Sequence, residues 1–387
     1  MLGTFGALSS KVKVNYAKIR LDNAIFRLHY RATSTFLIVA CILVTSTQYI
    51  GSPIQCIMDG KKAPNAINTY CWIAATFSIP GSFGRSVGSE VAHPGVGPEE
   101  YVRNPNTGEY ELADTVEHAY YQWVPFVLFL QAIMFYFPHY LWKSLEGGRV
   151  RSVVVSGCSR SVKDEERAGK RQILTRYMAN HLRRHDAWFY QFVFCEMLNL
   201  INVIGNIFFT DKFLGYEFSN FGMEVAQFVD RDPEDRFDPM ARVFPKVTKC
   251  TWHQFGPSGT IVKKDSLCVL AWNIINEKIY VFLWFWFVIL AVVTALGFLY
   301  RLASVFYSPL RAKILLLKNA AAREEVECVL DQCHVGDWYF LSHISAEMDP
   351  RDFREFLKSL AAELKSGNND SEPAEFSSLY PKSNDLA

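Results

Sequence analysis

The sequence predicts an all-α membrane protein: a four-transmembrane-helix bundle with disulfide-linked extracellular loops and a helical cytoplasmic domain. Three observations predict it. Four long stretches are strongly apolar, the segments between them alternate in the sign of their charge, and two pairs of cysteines, Cys56 with Cys71 and Cys250 with Cys268, fall in segments assigned to the same side. Neither the net charge of +1 nor the mean hydropathy of +0.04 discloses this, because both average apolar spans with long polar segments.

The first stretch, residues 32–50, holds no charged side chain. At ~1.5 Å of rise per residue it is long enough to cross a hydrocarbon core of ~30 Å. The second, 121–142, carries Gln122, Gln131 and His139 but no Lys, Arg, Asp or Glu, and the fourth, 279–300, carries none of these either. The third, 191–209, contains Glu196, Asn199, Asn202 and Asn206. A carboxylate at membrane depth is costly unless it faces protein or water. At ~100° per residue these four fall within about a third of the helix circumference, so the polar stripe turns inward and the remaining faces meet lipid or neighbouring helices.

Orientation follows from the bases retained on the cytoplasmic side. Segment 1–31 sets Lys11, Lys13, Lys18, Arg20, Arg27 and Arg31 against Asp22 alone; 143–190 is dense in Lys and Arg; and 301–365 begins with Arg301, Arg311, Lys313, Lys318 and Arg323. These three segments are expected inside. Loop 51–120 is acidic, with Asp59, Glu90, Glu99, Glu100, Glu109, Glu111, Asp114 and Glu117 against four bases, and is expected outside together with 210–278. The first span then acts as a retained signal anchor, since no short apolar core with a cleavage site precedes it. In the inner C-terminal region, Asp349 and Pro350 start a helix ahead of Phe353, Phe356, Leu357 and Leu360, whose apolar face calls for a partner in the central cytoplasmic segment. From 366 to 387 Gly, Asn, Ser, Glu and Pro dominate, as in disordered tails.

With this topology Cys56, Cys71, Cys250 and Cys268 meet the oxidising side, where thiols form disulfides, while Cys158, Cys328 and Cys333 meet the reducing cytosol. Four cysteines allow three pairings, and spacing does not choose among them. A zinc site would call for the short CxxC spacing that these cysteines lack.

A family resemblance is carried by Tyr120-Tyr121-Gln122-Trp123-Val124-Pro125-Phe126 at the start of the second span and by the cysteine loops. Further stretches are Gln48-Tyr49-Ile50-Gly51-Ser52-Pro53-Ile54, Asn68-Thr69-Tyr70-Cys71-Trp72-Ile73, Phe244-Pro245-Lys246-Val247-Thr248-Lys249-Cys250, Asn276-Glu277-Lys278-Ile279-Tyr280 and Gly336-Asp337-Trp338. On these the chain, over about residues 1 to 360, resembles the innexins, the invertebrate gap-junction subunits. The resemblance implies a plasma-membrane subunit with both termini cytoplasmic, assembling with itself as a ring, eight being the expected number, that docks with a second ring on an adjacent cell. Other innexins and membrane lipids are the further partners implied; nucleic acid is not. It also implies the pairing Cys56 with Cys268 and Cys71 with Cys250. The alternative kept open is an adhesive or modulatory four-span subunit that conducts only in heteromers.

Pore candidates follow. On the first span Ser34, Cys41, Thr45 and Gln48 share one face, and an uncharged polar stripe suits either the wall of a wide pore or hydrogen bonding between helices. Thr45 and Gln48, at the outer end, are taken as nearest the lumen. The segment before the span places Leu2, Phe5 and Leu8 at helical spacing; the resemblance implies that it folds into the pore mouth, with Leu2, Gly3, Thr4 and Phe5 as the constriction. The other reading is an amphipathic helix on the membrane surface. Pro125 is expected to kink the second span, as a hinge or as a static bend. No Walker loop, HExxH or Gly-x-Ser-x-Gly occurs, so no catalytic residue, metal ligand or cofactor is assigned. A secondary transporter would call for internal repeats, and none is present.

Overall fold

The structure is a computed structural model that describes residues 22–98, 101–103, 110–112, 114–148, 153, 164–230, 238–319 and 323–366. The proposed constriction residues Leu2, Gly3, Thr4 and Phe5 and the 366–387 tail lie outside these, apart from Ser366 itself. In chain order, α1 (Ala24–Arg27), a π-helical turn (Leu28–Thr33) and α2 (Ser34–Ile50) lead into a loop with β1 (Gln55–Met58), β2 (Lys61–Lys62), α3 (Asn65–Ile73), β3 (Thr76–Ser78), β4 (Tyr101–Arg103), β5 (Tyr110–Leu112) and β6 (Val116–His118). Next come α4 (Val124–Glu146), α5 (Asp164–Asn180), α6 (Asp186–Phe213), α7 (Phe218–Asp230) and α8 (Pro239–Val243). The hairpin β7 (Val247–Phe255) and β8 (Ile261–Val269) precedes α9 (Asn273–Phe306), α10 (Ser308–Asn319), α11 (Arg323–Gln332), α12 (Val335–Glu347) and α13 (Pro350–Ser366).

Among the described residues four helical stretches are long and apolar enough to cross a membrane: Ala24–Gln48, Val124–Glu146, Asp186–Phe213 and Asn273–Phe306. Three of them run several residues beyond both ends of the apolar runs or beyond the inner end, and the first begins eight residues before residue 32. The reason is packing: Phe26 and His29 are buried, so this turn is held by neighbours and not by hydropathy.

The chain divides into two compact units. One comprises 24–140 and 196–297 and holds most of the apolar spans and both cysteine loops. Its span core is built from Leu37, Val44, Leu128, Phe135, Val203, Leu283 and Phe287, with Phe218, Phe221, Phe244 and Tyr280 continuing it toward the second cysteine loop. Polar groups inside this bundle are hydrogen-bonded across helices: His29 Nε2 and Thr294 Oγ1 are 2.8 Å apart, Gln131 Nε2 donates to Thr210 Oγ1 at 2.8 Å, and Trp286 Nε1 donates to Thr33 Oγ1 at 2.8 Å. Glu196, Asn199 and Asn206 of the third span are buried, and they share one face with Asn202 as their spacing requires. The π-helical turn has a local cause, since Thr33 Oγ1 bonds back to the carbonyl of Leu28 at 2.9 Å and Thr33 receives Trp286.

The two cysteine loops are not helical throughout. They share an antiparallel sheet of order β2-β1-β8-β7-β3-β6, so strands from both loops form one layer. Strands of two to four residues from the first loop are too short to show a period of two, which is why the sequence reading gave only loops there. The long hairpin β7–β8 keeps its register from Val247↔Val269 to Phe255↔Ile261, and its tip closes with Gly259 at φ 81°, a conformation that other residues enter only at a cost.

The second unit comprises, within the described residues, those of 22–23, 141–195 and 298–366. Here α13 is amphipathic and buries Phe353, Phe356, Leu357 and Leu360; Asp349 caps it by accepting from Arg351 N at 3.0 Å. It packs on α5 of the central segment, where Arg171 pairs with Glu355. Arg301 is nearly buried yet not exposed to an apolar environment alone, because its guanidinium lies 4.6 Å from the Tyr339 ring centroid and 5.6 Å from that of Phe192.

Candidate functional site

The two cysteine loops are joined by two disulfides, Cys56–Cys268 and Cys71–Cys250, spanning sequence separations of 212 and 179 residues. Cys56 and Cys268 sit opposite each other in the β1–β8 ladder, and Cys71 reaches from α3 to Cys250 on β7. All four are fully buried, and with Ile54, Ile67, Tyr121 and Leu270 they form the loops' own apolar core. The sulfurs of Cys56, Cys71 and Cys268 lie within 4.8 Å of one another. With both bonds formed these cysteines present no thiolate to a metal.

The motifs in this region meet in space, and each contact has a chemical reason. Gln122 Nε2 donates to the carbonyl of Trp72 at 2.5 Å, and the Trp72 and Tyr121 rings are 4.4 Å apart, which fastens α3 to the start of the second span. Trp272 Nε1 donates to the carbonyl of Ser52 at 3.1 Å, and its ring lies so close over Gly51 that a Cβ there would approach it to 2.7 Å. Glu277 is fully buried at the start of α9 and is paired with Lys246 at 3.0 Å and Lys278 at 2.6 Å, so the Lys246 and Glu277 stretches form one ion-paired seam. Asn273 strengthens it by donating to the carbonyl of Pro245 at 2.7 Å.

His118 lies in the same sheet, buried, with Nε2 2.8 Å from Ser78 Oγ. Burial lowers its pKa to about 4 from the ordinary 6.5. Between those values the unfolded chain binds a proton that the folded sheet refuses, so stability falls as pH falls from about 6.5 toward about 4, and flattens below that. The loss is capped at ~3 kcal/mol at 1.36 kcal/mol per pKa unit. We expect thermal unfolding of the purified protein to drop across this window and His118→Gln to reduce the slope; an unchanged slope would remove His118 from the account.

On the first span, Ser34 Oγ donates to the carbonyl of Ala132 at 3.0 Å, Cys41 Sγ points at the carbonyl of Pro125 at 3.3 Å, and Gln48 Nε2 donates to the carbonyl of Tyr121 at 2.9 Å. Three members of the polar face therefore serve contact with the second span or its approach, the interhelical use of such residues. Thr45 and Gln48 remain partly exposed. Pro125 is the second residue of α4, where its missing N–H has no intrahelical partner to lose. Pro138 is the proline inside that helix.

Sequence reasoning missed a further cluster, in the second unit. Asp337 is fully buried and accepts from Arg183 N at 2.8 Å and His334 N at 3.1 Å, with His185 Nδ1 at 2.7 Å. Asp186 in turn accepts from Gly336 N at 2.9 Å and lies 2.7 Å from His334 Nδ1. Trp338 Nε1 donates to the carbonyl of Arg311 at 3.1 Å. The signal was the Gly336-Asp337-Trp338 stretch, which marks where α12 meets the start of α6. Cys333 beside it is no reactive thiol: burial, with Asp337 adding to it, pushes its pKa up to about 12.

Comparison with known proteins agrees with this construction. The innexin family model matches residues 22–364. Innexin inx2 of Schistocerca americana is 45% identical over 367 residues, covering 94% of this chain and 99% of the relative. Innexin inx2 of Drosophila melanogaster is 45% identical over 365 residues, 94% of this chain and 96% of the relative, and innexin inx3 of Drosophila melanogaster is 41% identical over 379 residues, 97% and 93%. Four spans, two disulfide-joined loops and matches of this extent together establish that the chain belongs to the innexin family of gap-junction channel subunits.

Proposed function

We propose that this subunit assembles with itself as a ring, eight being the expected number, around a wide aqueous pore in the plasma membrane, and that the ring docks through its cysteine loops with a ring on the adjacent cell. Both termini face the cytoplasm, and an undocked ring works as a hemichannel. Ions and small metabolites pass down their gradients, so the function requires no catalytic step, cofactor or metal. The observation that supports this reading best is the clamp: two buried disulfides and a shared sheet make one rigid unit of both loops, with the β7–β8 hairpin reaching out from it. At its tip Phe255 is 80% and Ile261 67% exposed, an apolar edge suited to meeting the opposite ring.

The pore wall is the part to test. In this proposal Leu2, Gly3, Thr4 and Phe5 form the constriction, and Thr45 and Gln48 border the lumen at the outer end of the first span. A cysteine at position 45 is expected to react with a pore-permeant thiol reagent applied to a conducting hemichannel and to lower its current, whereas Ile42→Cys, on an exposed apolar part of the same helix, gives no change. Silence at Thr45 with a response at Thr4→Cys assigns the first-span stripe wholly to helix packing and leaves the lumen to the N-terminal segment.

A further inference from the structure

A cavity of about 740 Å³ lies where the start of the second span and the end of the third meet the cysteine loops. Its size is that of a small-molecule site. Lys212, in the last turn of α6, and Glu117, on β6, line it together with the aromatic rings of Phe83 and Trp123. Arg242 also lines it, but its guanidinium is already held by Glu217 at 2.7 Å and Glu224 at 2.9 Å. Lys212 and Glu117 differ: both are exposed, and neither makes an ion pair or side-chain hydrogen bond among the described residues, with each other or with any third group. One cavity thus presents an exposed ammonium and an exposed carboxylate, each unpaired among the described residues, beside aromatic rings.

Its level in the fold narrows the ligand. Trp123 directly precedes α4, and Lys212 is the penultimate residue of α6, so the cavity sits at the ends of two spans, where Trp and Lys mark the boundary between hydrocarbon and water. One turn from each, Phe126 and Phe208 are well exposed on otherwise apolar helix surface. A ligand entering here carries a polar end into the cavity and an apolar end along those helices.

We propose that this cavity binds the headgroup of a zwitterionic phospholipid, its phosphate on Lys212 and its ammonium between Glu117 and the rings of Phe83 and Trp123, with the acyl chains along Phe126 and Phe208. A phosphate pairs with the lysine as a charge-assisted contact, and a quaternary ammonium gains from aromatic faces as well as from the carboxylate. An anionic lipid would satisfy Lys212 but leave Glu117 opposed by nothing. A free phosphate would satisfy only half the site and has no use for the apolar flank.

The test uses the assembled full-length oligomer in nanodiscs of phosphatidylglycerol doped with a phosphatidylcholine that carries a photoreactive group on its headgroup. Labelling is expected on peptides covering 114–123 and 212–217, to be competed by excess phosphatidylcholine and not by phosphatidylglycerol or inorganic phosphate, and to fall at least fivefold in Lys212→Ala and in Glu117→Gln. Both side chains are exposed, so the variants are expected to assemble normally, as gel filtration of the oligomer will check. Equal competition by inorganic phosphate would reduce the site to an anion site and overturn the proposal. So would labelling unchanged in both variants, or no labelling of these peptides in the assembled oligomer, which would give the cavity to a neighbouring subunit.

Discussion

Junctional current between paired cells is expected to vanish when Cys71 is replaced by serine. The bond to Cys250 joins residues 179 apart, but with Cys56–Cys268 still formed it closes an effective loop of only ~33 residues, worth about 3–4 kcal/mol in the chain-entropy model and within the ~2–5 kcal/mol typical of native disulfides removed from small domains. The loss is compounded by position. Cys71 is fully buried beside Cys56 and Cys268, so the serine hydroxyl enters an apolar cluster, and the freed Cys250 thiol is left in the same cluster as the remaining disulfide, which it can attack by thiol–disulfide exchange. The double variant Cys71→Ser/Cys250→Ser removes that exchange and isolates the clamp itself. It is expected to reach the cell surface at reduced level and to give no junctional current; full coupling in the double variant would show that docking does not need the second bridge.

A comparably large loss is expected in the other unit from Gly336→Ala, a change that adds one methyl group. Its Cβ would stand 2.5 Å from the backbone N of Asp186 and the backbone C of His185, and 2.6 Å from Asp186 Cα. Backbone at the start of a spanning helix cannot yield as a side-chain tip can, so α12 must move off α6, breaking the Gly336 N to Asp186 bond at 2.9 Å and the Asp337 contacts that follow it. Overpacking of this kind costs ~1–3 kcal/mol, and each buried polar group left unpaired adds about 1–3 kcal/mol more. We expect a fall in thermal midpoint in detergent of well over 5 °C and loss of surface protein. Asp337→Ala should match it, because Arg183 N, His334 N and His185 Nδ1 all lose their acceptor, whereas Asp337→Asn, which keeps an acceptor oxygen, should be milder. Wild-type midpoints for Gly336→Ala would mean that the α12–α6 contact is looser than the distances state.

These two sites differ in how far the sequence disclosed them. Membrane spans, the inward turn of Glu196, Asn199 and Asn206, and the capped amphipathic helix after Asp349 were legible because each rests on local periodicity or on composition over a long window. The sheet shared by the cysteine loops was not, because its short strands are specified by partners some 200 residues away, as in Cys56 opposite Cys268. Which cysteine meets which was equally beyond spacing and came only with the family resemblance. The face bearing Ser34, Cys41 and Gln48 shows the opposite hazard: its periodicity was plain, yet a polar stripe looks the same whether it meets water or a neighbour's carbonyls, and here three members meet carbonyls of the second span and its approach. Lys246, Glu277 and Asp337 were visible only as members of motif stretches, and Asp186 lay in none of them, until folding brought their charges and amides together.

Dual whole-cell recording on paired cells that express only this chain, with the membrane current of each single cell recorded alongside, tests the central claim most directly. The account predicts a junctional current that dye transfer accompanies and that disappears in the Cys71→Ser/Cys250→Ser variant. Surface protein at normal level with neither junctional nor single-cell current would contradict a self-sufficient channel and point to a subunit that conducts only beside another innexin.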